Sequence, residues 1–151
     1  MRAGALVLAA VLGGGLLTGC ASEQEQYCDT VSEHQQELTE IATDTGQDAI
    51  FRALPIYEDL AAEAPDDIAD DWDLVVSRLE ALRRAFDDAG VDPATYDPEK
   101  PPADLRRADR AAISDAATAL VDGETTAAMT SVEQHARDVC KTELGSAPLG
   151  G

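Results

Sequence analysis

Aromatic side chains are scarce in this sequence, which holds one tryptophan, three tyrosines and two phenylalanines in 151 residues. No stretch alternates β-branched apolar with polar residues, so nothing asks for a sheet. There is no G-x-S-x-G turn, no glycine-rich phosphate loop and no HExxH pair, and so no familiar signature of hydrolase, nucleotide or zinc chemistry. Basic residues are outnumbered, 11 against 30 acids, for a formal net charge of −19. A surface of that sign repels phosphate backbones, and no nucleic-acid partner is expected. The longest apolar run, Ala5 to about Leu17, falls short of the roughly 20 residues that span a bilayer. Three consecutive glycines, Gly13 to Gly15, weaken it further as a lasting helix.

What is present begins with that run. Residues 1–19 read MRAGALVLAAVLGGGLLTG: a basic start, a short apolar segment and small residues before a cysteine, which is the pattern of a secretory signal. Its ending, Leu17-Thr18-Gly19-Cys20, resembles the lipobox of bacterial lipoproteins at every position. The resemblance covers only this signal region. It implies that the Cys20 thiol receives a diacylglyceryl group and that the chain is cut just before it, leaving a lipidated first residue. Two acyl chains make a stable anchor where one is marginal. The expected address is therefore the extracytoplasmic face of the cell membrane, with Cys20 as the attachment to it.

Removal of residues 1–19 leaves 132 residues with all 30 acids and ten of the eleven basic residues. That is enough for one domain with a core and too little for two. The abundance of alanine, aspartate and arginine, with only two lysines, resembles the small helical lipoproteins of actinobacteria, a likeness that carries over no residue of known function. Residues 20–26 read as a polar tether, 27–144 as a helical domain and 145–151 as a frayed tail.

Helical spacing dominates that domain. Tyr27, Val31, Leu38 and Ile41 mark a first helix ending near Gly46. Ala49, Ala53, Ile56 and Leu60 mark a second, which Pro55 either kinks or starts. Ile68, Trp72, Val75, Leu79, Leu82 and Phe86 form a third, with Gly90 placed as its cap. Val91 to Asp104 carries four prolines and reads as a loop. A fourth helix is expected through Ala108, Ala112, Ala116 and Leu120 to Gly123, and a fifth from Thr126 through Met129, Val132, Ala136 and Val139 to about Glu143. The fold class expected is all-α, a single bundle of four to five helices.

With Cys20 taken by lipid, Cys28 and Cys140 remain in an oxidising compartment, and a disulfide joining the first and last helices is expected. Five alternating helices would put those cysteines at opposite poles, so one connection should return without reversing direction. The 91–104 loop is long enough. Parallel third and fourth helices follow, which would put Arg106, Arg107 and Arg110 beside the tether and near lipid phosphates. A shorter or folded second helix would also restore the parity.

Few residues suggest chemistry. His34 and His135 are the only histidines, and neither lies in a metal-ligand motif, so no metal and no cofactor is expected. Six acids between Glu63 and Asp73 suit a helix N-terminus and its solvated face, and lack calcium-loop spacing. Arg106, Arg107 and Arg110 open the fourth helix, where positive charge opposes the dipole. Either they pair with acids such as Asp104 and Asp109, or they form an anion-facing patch. The function expected is non-enzymatic: binding or support of another cell-envelope component, such as an envelope protein. The alternatives are a carrier of a small apolar ligand between helices and a hydrolase with a carboxylate-based site.

Overall fold

Ser22 opens the first helix reciprocally with Glu25. Its hydroxyl accepts from the Glu25 amide at 3.2 Å, and its own amide donates to the Glu25 carboxylate at 2.8 Å. This capping box satisfies two amides that a helix start would leave bare. Helix α1 therefore runs Glu23–Ala42 and takes up most of the expected 20–26 tether. The computed structural model describes residues 22–46 and 48–145, so the signal segment, Cys20 and residues 146–151 lie outside it. Its other helices are α2 (Ala49–Ala62), α3 (Asp66–Ala89), α4 (Arg107–Leu120) and α5 (Gly123–Asp138), and the described residues hold no strand.

Helix α2 continues through Pro55, which sits on its exposed side. Helix α3 is the centre of the fold and packs against α2, α4 and α5. Its stripe is buried along its whole length, from Ile68 to Phe86. Each large side chain so buried is worth about 1.5–3 kcal/mol. Gly90 ends α3 at φ 64, and the Gly90 and Val91 amides return to the carbonyls of Asp87 and Phe86. A residue with a Cβ would pay for that left-handed turn.

Two boundaries differ from the expectation. Gly123 does not end the fourth helix but begins the fifth. Asp122 is the reason: its carboxylate accepts from the Thr125 amide at 2.8 Å, while the buried Thr125 hydroxyl donates back to the Ala119 carbonyl at 2.8 Å. Helix α5 then stops at Asp138 rather than near Glu143, because the chain turns away there, with Lys141 at φ 59. Leu144 is buried, and Gly145, at φ 60, lies so close to Thr39 that a Cβ would stand 2.6 Å from its Oγ1. That final segment is seated on α1.

The topology corrects the parallel arrangement. Residues at the end of α3 (Asp88, Gly90) share one small cleft with Asp104, Arg106 and Asp109 at the start of α4. Glu124, at the start of α5, meets Arg78 midway along α3 at 3.6 Å, and His135 meets Asp67 at the start of α3 at 3.4 Å. So α4 and α5 run in the same direction, one after the other, both antiparallel to α3. At 1.5 Å per residue they cover about 21 and 24 Å against about 36 Å for α3. Five helices make four passes, and parity is met without a crossover. The Cys28–Cys140 disulfide closes the fold with 5.1 Å between Cα atoms, two residues beyond α5. Arg106, Arg107 and Arg110 consequently stand at the pole opposite Cys28, not beside the tether.

Candidate functional site

Among the described residues, polar groups meet apolar surface near the disulfide and again at the opposite pole. Near the disulfide, the Trp72 indole N–H donates to the Tyr27 hydroxyl at 3.1 Å, both side chains being fully buried. Burial pushes the Tyr27 phenol up to about 12; the Trp72 bond partly opposes this and the Asp67 charge adds to it. His135 meets the Tyr27 ring edge-on, with centroids 5.7 Å apart. Its Nδ1 faces Asp67 at 3.4 Å, and its Nε2 is 3.2 Å from the Gln24 amide nitrogen. This is an oriented acid–histidine pair, but the position a nucleophile's hydroxyl would take is filled by an amide. The arrangement ties α1, α3 and α5 together. His34 pairs instead with Asp59 of α2 at 3.6 Å, so the two histidines are not brought together. Among the described residues no group of three or more metal-ligating side chains converges. The acids of the 63–73 run are spread over the α3 start, with Asp66 and Asp67 in its first turn.

The opposite pole carries a groove of about 870 Å³, open along one side. It forms because α4 rests on α3 and leaves a gap toward α2. Phe51 of α2 and Leu82 and Phe86 of α3 line it, with Ile113 and Val121 from the α4 pass and Tyr96 from the 91–104 loop. Ring edges hold the loop side in place: Phe86 meets Phe51 at 5.8 Å and Tyr96 at 5.3 Å between centroids. Val121 is 49% exposed, unusual for a side chain of its kind here.

The three arginines divide. Arg106 lies in the adjoining cleft and makes two bonds to Asp109, from Nε at 2.7 Å and Nη2 at 2.6 Å. Its charge is neutralised. Arg107 and Arg110 line the groove, and no ion pair or hydrogen bond engages either side chain among the described residues. They are its only charged residues, in a chain where 30 of 151 residues are acids. At that frequency about three acids would be expected among fifteen lining positions. The helix start beside them is also bare, since Arg106 offers no side-chain cap. A local positive potential on an otherwise acidic molecule is the result.

Two of the three arginines flagged in the sequence are thus brought to one surface, and the Cys28–Cys140 pair to another. The apolar walls were missed. One signal could have found them: Arg107, Arg110, Ser114, Ala117 and Val121 recur at helical spacing as a face with no acid, which a solvated face of so acidic a chain would not have. Comparison with family models, with curated proteins and with solved structures gives no match.

Proposed function

We propose that this protein is a lipoprotein, held by lipid at Cys20 to the extracytoplasmic face of the cell membrane, whose helical domain binds another envelope component without catalysing a reaction. The anchor reading is supported by the Leu17–Cys20 pattern and by the short apolar run before it. The binding reading is carried by one observation: an open, acid-free apolar groove lies at the end of the fold away from Ser22. The Arg107 end of that groove lies at the end of α3, about 36 Å along its axis from the pole where the anchor would attach. A carrier of a small apolar ligand is the second reading, favoured by a volume inside the roughly 300–1,000 Å³ range of small-molecule sites.

Site-specific photocrosslinking in intact cells tests the binding reading. A photoreactive residue at Ala117, inside the groove, should give an envelope adduct that the same probe at exposed Glu33 on α1 does not. Equal adducts at both positions, or an adduct that survives filling the groove by Ser114→Trp, would overturn it. The anchor is tested separately. Cys20→Ala should leave the protein soluble after signal removal, and a variant that stays fully membrane-bound would exclude this attachment.

A further inference from the structure

The groove has one polar end. Arg107 and Arg110 are three residues apart and share a side of α4, close enough for one anionic group to touch both. Planar guanidiniums bind carboxylate and phosphate oxygens in pairs. The walls around them are apolar, with Phe51, Phe86 and Tyr96 at the same pole and Leu82, Ile113 and Ala117 toward Val121. The distance from Arg107 to Val121 is about 21 Å along the helix. The groove is thus apolar along its length, with Phe51, Phe86 and Tyr96 near the arginines, and carries charge at one end only. An extended peptide brings a donor and an acceptor at every residue, and apart from the arginines the α4 wall offers only the Ser114 and Thr118 hydroxyls.

We propose that the groove binds a small amphiphile with a single anionic head, a carboxylate or a phosphate monoester, the head between Arg107 and Arg110 and the tail running toward Val121. The inference rests on the reading of the groove as a binding surface and adds the chemical class of its ligand. Selectivity for an anion is informative because the molecule as a whole repels anions: its formal net charge is −19.

Calorimetric titration of the purified protein with laurate and monododecyl phosphate below their micelle-forming concentrations, and with dodecanol below its solubility limit, separates the possibilities. At least one anion should bind tenfold or more tighter than dodecanol, and the tighter anion identifies the head group. The double variant Arg107→Gln/Arg110→Gln should bring that anion down to the affinity of dodecanol. Arg106→Gln, outside the groove, should change binding less than twofold, and circular dichroism checks that each variant is folded. Dodecanol binding as tightly as both anions, with no effect of the double variant, would overturn the anionic head while leaving the groove a binding surface. No binding of any of the three, or binding unaffected by Ser114→Trp, would instead remove the groove reading itself.

Discussion

Breaking the Cys28–Cys140 bridge should cost this fold a large share of its stability. The two cysteines are 112 residues apart in sequence. Closing a loop of that size removes about 16 cal/mol/K from the unfolded chain in the chain-entropy model, or about 5 kcal/mol at 25 °C. Domains of this size are stable by only 5–15 kcal/mol in general. With an unfolding entropy near 2.1 cal/mol/K per residue over roughly 120 residues, the melting temperature should fall by about 15–20 °C. The native contacts around the bridge predict where the loss is felt first. Helix α1 leans mainly on α2, and its start is tied to the far end of the chain by the disulfide and the Gln24–His135 contact and to α3 by the Tyr27–Trp72 bond. Calorimetric melts with and without a phosphine reductant give the magnitude, with Cys28→Ser/Cys140→Ser as the reductant-free control. Hydrogen exchange should show the amides of the first half of α1 opening before those of α3. A melting temperature unchanged within about 3 °C, with both thiols titrating as free, would refute the reasoning. The ends of the chain would then be held by the buried tyrosine–tryptophan–histidine contacts, not by the covalent loop.

Two further outcomes follow from buried polar groups. The Tyr27 phenol is raised to about 12 from an ordinary 10.0, so the folded state keeps a proton that the unfolded state releases. Its contribution is fully present below pH 10 and should fade as pH rises toward 12, by about 3 kcal/mol at most; urea melts across pH 9–12 should show that limb, and Tyr27→Phe should shrink it. Thr125→Val keeps the shape but removes the donor to the Ala119 carbonyl, and should cost about 1–3 kcal/mol in the same melts, whereas Thr125→Ser, which keeps the hydroxyl, should recover most of it.

Much of the core was legible because its side chains are large and regularly spaced. All six members of the α3 stripe, Ile68 to Phe86, are buried as their period requires, and the same holds for Tyr27, Val31, Leu38 and Ile41 in α1. The fourth helix follows its expected stripe only in part. Ala108 and Ala112 are exposed and Ala116 half-buried, whereas Leu120 of the same stripe is buried together with Ile113, which lies off it. Alanine is too small to mark a face: burying or exposing one methyl changes the energy by under about 1 kcal/mol. Val139 also belongs to the expected fifth stripe but is 43% exposed, since α5 ends one residue before it.

Parallel α3 and α4 would follow only if every helix end reversed the direction of the chain. The break before Gly123 ends α4 without reversing it. Asp122 caps α5 two residues after the end of α4, and both helices pack on α3. The consequence reaches the candidate site. The last of the four passes is broken in its middle. Its second half, α5, is drawn toward α1 by His135 and the disulfide, and its first half, α4, follows α3. The space left between α4 and α2 is the groove. What the sequence carried of it was the pair Arg107 and Arg110, whose meaning depended on which pole they occupied, and that was decided by the break at Asp122.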